Sequence, residues 1–182
     1  MNVQDDFFSY VEKFETFDGL INNASTVGQY SNPIREDWNK EFLINVIVPY
    51  ELSLKAKPWL EKSHGSIINI GSRVGLQVAP SHNLVYGIAK SALHQLTLSL
   101  AVQLAPHVRV NAVLPGCFVS ARLQDKFGEN TQNIIEKYKN KSLLNAVLDE
   151  EEIVKSVMFL LDNKNITGQL LTVCNGASIN VS

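Results

Sequence analysis

Four short apolar runs alternate with long helical patterns, and this alternation constrains the fold more than any other feature of the chain. The runs are Gly19-Leu20-Ile21-Asn22-Asn23-Ala24, Ser66-Ile67-Ile68-Asn69-Ile70, Arg109-Val110-Asn111-Ala112-Val113-Leu114 and Leu170-Leu171-Thr172-Val173. Each reads as a short, buried strand. Residues 34–62 form one long helical pattern carrying Trp38, Phe42, Val46, Leu52 and Leu60, which Pro49 is expected to kink. Residues 86–104 are apolar nearly all round, as in a helix that is buried or packs on another subunit. Asp149 begins a third helix reaching about Leu161, with Glu152 three residues into it. Shorter helical patterns occupy 5–17, with Phe7, Phe8, Val11 and Phe14, and a piece near 131–140. Strands separated by helices imply a parallel sheet with right-handed crossovers.

Length and charge narrow the function classes. A chain of 182 residues supports one domain with a sizeable core, and we read 1–182 as a single domain. With 45% hydrophobic and 19% charged residues it is ordinary for a soluble globular protein. A net charge of -2 gives no basic excess that would suggest nucleic acid or an anionic membrane as partner. Cys117 and Cys174 lack metal or redox spacing and read as small apolar residues, with a single disulfide left open. His64, His82, His94 and His107 are scattered, so no metal site is expected. Asp5 and Asp6 precede any apolar run, unlike a signal peptide, and no stretch approaches the roughly 18 apolar residues of a membrane span. A cytoplasmic location fits these features.

In open α/β sheets, ligands bind beyond the carboxyl ends of the strands. Asn22-Asn23-Ala24, Ser72 and Pro115-Gly116 each follow such an end, and Tyr86 with Lys90 opens the helix after the Ser72 loop. A tyrosine and a lysine four residues apart sit one helical turn from each other. The ammonium favours the phenolate, drawing the phenol pKa down from about 10 toward neutrality, where it can act as general acid or base. Singly, such a pair is most often a half-buried tyrosine beside a solvated lysine. Convergence of several separate segments on one sheet edge is what the bland reading leaves unexplained.

These pieces, in this order, resemble the short-chain dehydrogenase/reductase family: Asn22-Asn23-Ala24, Asn45, Gly71-Ser72, Tyr86-x-x-x-Lys90, Asn111 to Gly116, and Ile166-Thr167-Gly168-Gln169. The resemblance implies a Rossmann-like doubly wound parallel sheet and an oxidoreductase that interconverts an alcohol and a carbonyl with NAD or NADP. It implies Tyr86 as acid/base, Ser72 as the hydroxyl that orients the substrate oxygen, and Lys90 as the group that tunes Tyr86 and holds the nicotinamide ribose. Asn45 would hold a water linking Lys90 to solvent. Asn23 and Ala24 would lie along the adenosine half, Asn2 and Val3 against adenine, and Pro115, Gly116, Phe118 and Ser120 against the nicotinamide. The partners implied are a small-molecule alcohol or carbonyl and further copies in a homodimer or homotetramer.

The chain departs from the family's pattern in places. Ser25 replaces the usual glycine, a trait of pteridine reductases, although those carry Asp where this chain has Ser72. Ser120 replaces threonine, and Cys174-Asn175-Gly176 replaces Asp-Gly-Gly. The family's Gly-rich turn, which binds pyrophosphate through backbone amides at a helix N-terminus, is not found. The expectation is therefore a sheet missing the first two strands and most of the third, with the strand at 19–23 left without a partner, exposing unpaired backbone groups and an apolar face on both sides. The same absence supports an alternative, a catalytically idle fragment that does not bind dinucleotide. Substrates from a 3-oxoacyl group to a sugar or steroid alcohol or a pterin remain open.

Overall fold

Backbone hydrogen bonds join the four apolar runs into one parallel sheet. In the computed structural model, which describes residues 11–28, 30–79, 83–118 and 128–180, the strands are β1 (Gly19–Asn22), β2 (Ser66–Ile70), β3 (Arg109–Pro115) and β4 (Leu170–Val173), in the order β1-β2-β3-β4. The register sets Leu20 beside Ile67, Ile67 beside Val110 and Val113 beside Leu171. Asn23 and Ala24 lie beyond the end of β1, whereas Pro115 closes β3 one residue past the expected end.

Helices cover both faces. The pattern at 34–62 folds as α1 (Arg35–Phe42), a π-helical turn (Leu43–Ile47) and α2 (Val48–Ser63). The irregularity thus falls just ahead of Pro49, where a kink was expected. Pro49 has no N–H to give the carbonyl of Asn45, and the widened turn absorbs the mismatch, with the N–H of Val48 donating to the carbonyl of Leu43. The remaining helices are α3 (Leu84–Leu104), α4 (Thr131–Asn140) and α5 (Glu150–Asp162). Asp149 caps α5 as expected, its Oδ1 accepting from the N–H of Glu151 at 3.1 Å. The helix expected over 5–17 falls partly outside the described residues, and from residue 12 the chain is turn and bend rather than helix. Contacts with α2 outcompete it: Trp59 Nε1 donates to the carbonyl of Phe14 at 3.1 Å, and Phe17 stacks on the Trp59 ring.

Successive side chains on a strand point to opposite faces, so β2 feeds two cores. Ile67 packs with Leu20, Ala56, Leu60, Leu100 and Leu104 beneath α2 and α3. Ile68 packs with Val113, Val157 and Leu160 beneath α5. Each fully buried aliphatic side chain contributes about 1.5–3 kcal/mol, which is why the strand sequences are apolar without alternation. This is the doubly wound α/β arrangement expected from the sequence. Among the described residues β1 ends the sheet. Only one of its faces is open: Leu20 is buried, whereas Ile21 is 47% exposed.

Polar side chains lock the layers where the site will form. Asn22 Nδ2 donates to Asn69 Oδ1 at 2.8 Å, and Asn69 Nδ2 donates to Thr97 Oγ1 at 2.9 Å, tying β1 and β2 to α3. Parallel pairing places the carboxyl ends of all four strands on one edge.

Candidate active site

The loops leaving β2 and β3 at that edge wall a cleft of about 640 Å³, in the range of small-molecule sites. Ser72, Tyr86, Pro115 and Gly116 all line it. Two glycines permit this approach. A Cβ on Gly71 would lie 2.6 Å from His94 Nε2, and one on Gly116 would lie 2.7 Å from the Cβ of Cys174. Only glycine lets β2 exit against α3, and β3 against the residues after β4.

Ser72 is held on three sides. Its N–H donates to His94 Nε2 at 3.4 Å, its carbonyl accepts from the N–H of Gly75 at 3.0 Å, and its Oγ accepts from the N–H of Val74 at 3.3 Å. A hydroxyl oxygen engaged as acceptor still has its own proton to donate. His94 is suited to its role as acceptor. Burial, and then the charge of Lys90, push its pKa down to about 4, so it is neutral near pH 7.

Tyr86 is half-buried, two residues into α3. Lys90 lies one turn on and is only 2% exposed. Its Nζ sits 5.7 Å from the centroid of the Tyr86 ring and donates to the carbonyl of Ile70 at 2.8 Å. The solvated lysine of the bland reading is thus absent. Burial pushes the Lys90 pKa down to about 8, against an opposing pull from the Glu41 carboxylate.

Behind the cleft lies a polar cluster that joins Asn45 and Ser25 to Glu41, a residue the sequence did not single out. Glu41 and Asn45, one turn apart where α1 meets the π-helical turn, are both fully buried. Glu41 Oε2 accepts from Asn45 Nδ2 at 2.8 Å and from Thr26 Oγ1 at 3.2 Å, while its Oε1 accepts from the N–H of Gly28 at 2.7 Å. Asn45 Oδ1 in turn accepts from Ser25 Oγ at 2.7 Å. Ser25, which departs from the family's glycine, thus joins the loop after β1 to Asn45. The available signal was an acidic residue four positions before Asn45, on the same helix face.

The structure brings the expected residues together unevenly. Lys90 and Asn45 are buried and lie off the cleft lining. Asn23 and Ala24 are exposed, away from that lining. Phe118 forms a parallel bridge with Leu148. Asn2, Val3 and Ser120 lie outside the described residues. Asn111 serves the fold, since its Nδ2 donates to the carbonyl of Ile166 and its Oδ1 accepts from the N–H of Gln169, both at 2.9 Å. These bonds fix the Ile166–Gln169 turn that delivers β4. Cys117 borders the cleft with its thiol pKa pushed up by burial, so it is not primed as a nucleophile. Among the described residues, no cluster of potential metal ligands forms, and no helix is long and apolar enough to cross a membrane.

Residues 2–178 match the sequence model of a family described as enoyl-(acyl carrier protein) reductase. A Thermotoga maritima protein, described as an uncharacterized oxidoreductase, is 33% identical over 176 residues, covering 92% of this chain and 70% of that protein. The chain belongs to the short-chain dehydrogenase/reductase family. Solved structures of similar proteins agree with the fold. ElxO with NADP bound is 28% identical with a TM-score of 0.86, covering 96% of this chain and 73% of that one. NAD+-bound xylitol dehydrogenase is 25% identical with a TM-score of 0.84, covering 94% of this chain and 73% of that one. The short-chain dehydrogenase/reductase chain described here therefore spans somewhat under three-quarters of each of these relatives.

Proposed function

We propose that this protein is an NAD- or NADP-dependent oxidoreductase that interconverts a small-molecule alcohol and carbonyl, with Tyr86 as acid/base. One observation carries the reading: Ser72 and Tyr86, from separate segments, line one cleft while the lysine paired with Tyr86 is buried behind it. The residues suit the nicotinamide half of a dinucleotide. Pro115 and Gly116 line the cleft as a wall for the ring, with Phe118 two residues on and off that lining, and the buried Lys90 would turn the ammonium protons not used by the carbonyl of Ile70 to the ribose hydroxyls. When bound, the cofactor supplies or accepts the hydride. The protein's own part is positional and protic. Ser72 donates to the substrate oxygen and orients it. Tyr86 Oη gives its proton to that oxygen during reduction and takes it back during oxidation. Lys90 favours the phenolate after the transfer, and Asn45 connects this centre to solvent through water.

The test is reduction of a panel of aldehydes and ketones with NADH and NADPH, comparing the wild type with Ser72→Ala and Lys90→Ala. Ser72→Ala should lower kcat with little change in cofactor affinity, whereas Lys90→Ala should impair both. Variants as active as the wild type would defeat the assignment. One further observation favours a second reading of these 182 residues taken alone: they hold no Gly-rich phosphate-binding turn. On that reading NADPH binds weakly or not at all, and micromolar binding in a fluorescence titration would contradict it.

A further inference from the structure

The wall of the cleft is sorted by charge. The chain has 18 acidic and 16 basic residues, yet the described residues lining the cleft include Arg73, Lys137 and Lys141 and no Asp or Glu. Lys137 and Lys141 stand four apart at the cleft-facing side of α4 and its end, together with Ile134 and Tyr138. Like charges at that spacing repel by about 0.2–0.5 kcal/mol, and no carboxylate among the described lining residues offsets them. The sole carboxylate of α4, Glu136, pairs with Lys139 at 2.9 Å. Arg73 has a neutral partner, its Nη1 donating to Gln77 Oε1 at 2.9 Å. Tyr138 adds a phenol whose pKa burial pushes up to about 12, so it keeps its donor proton.

We propose that Arg73, Lys137 and Lys141 form an anion subsite beside Ser72 and Tyr86, and that the substrate carries a carboxylate or phosphate as well as its reacting carbonyl or hydroxyl. This rests on the oxidoreductase reading and adds the substrate class. An oxyanion seated there relieves the lysine repulsion and is steered in by the unopposed positive field.

The probes are acetoacetate and its methyl ester, which share a ketone and differ in the anionic carboxylate. Their dissociation constants are measured by ligand-observed NMR at low salt, without cofactor, on the wild type and on the double variant Lys137→Gln/Lys141→Gln. Two exposed charge pairs predict acetoacetate binding about five- to tenfold tighter than the ester in the wild type. In the double variant, which keeps Arg73, the ratio falls at least about threefold. Both substitutions are at exposed positions, and an unchanged melting temperature verifies folding. Equal binding of acid and ester by the wild type, or a preference undiminished in the variant, overturns the subsite. So does a variant that loses NADPH affinity while keeping its preference for acetoacetate, because the cations would then serve the cofactor. The acid/ester ratio is read without turnover. Absence of any reductase activity with the preference intact fails the oxidoreductase reading alone, and activity without the preference fails the subsite alone.

Discussion

At the scale of single residues, burial separates the groups that matter from those that merely fit a motif. Tyr86 and Lys90 are legible in the sequence by spacing, but only the structure shows the lysine buried with its Nζ held by the carbonyl of Ile70. Its lowered pKa has two consequences. Above pH about 8 the ammonium is lost, so kcat/KM should fall along an alkaline limb near that pH, and a profile flat to pH about 10 would contradict the role of Lys90. Stability moves the other way. Between about 8 and the ordinary lysine value of 10.5 the unfolded chain holds a proton that the native chain gives up, so the melting temperature should rise with pH over that window relative to Lys90→Met. Glu41 was invisible in the sequence because its burial depends on Thr26, Gly28 and Tyr30 closing over α1. Removing it with Glu41→Leu orphans the N–H of Gly28 and takes one acceptor each from Asn45 Nδ2 and Thr26 Oγ1, at a cost of about 3 kcal/mol in urea unfolding. Glu41→Gln should cost less, and a loss below about 0.5 kcal/mol for Glu41→Leu would show that the cluster is not structural.

At the scale of elements, the strands were readable because burial on both faces leaves an almost continuous apolar run. The helical rod at 34–62 was readable as a unit, but not its π-helical turn, which arises where Pro49 withholds an N–H from a helix still held by side-chain contacts. The stretch at 12–17 misled because its phenylalanine spacing is helical while its backbone is claimed by Trp59. Arg109, at the start of β3, fastens α5. Its Nη1 donates to the carbonyl of Leu160 at 2.8 Å and its Nη2 donates to that of Leu161 at 2.6 Å. Arg109→Met should therefore lower stability by about 2–3 kcal/mol, shifting the urea midpoint at unchanged m. It should leave cleft binding intact, because Arg109 sits at the opposite end of β3 from Pro115. An unaltered midpoint would show that these charge-assisted bonds contribute nothing net.

At the scale of the molecule, function follows from parallel strands whose carboxyl ends share an edge. Ser72, Tyr86, Pro115 and Gly116 could be assigned to that edge from the sequence because each follows a strand or opens the next helix. The cationic wall at Lys137 and Lys141 could not, since its facing depends on how α4 packs beside the cleft. The account stands on Tyr86 as the proton donor. Its most direct test is steady-state carbonyl reduction by Tyr86→Phe, with cofactor affinity measured in parallel by fluorescence titration. Loss of the hydroxyl alone should lower kcat by about 10²–10⁴-fold while the cofactor dissociation constant stays within about twofold. A variant that keeps most of the wild-type kcat would contradict the claim.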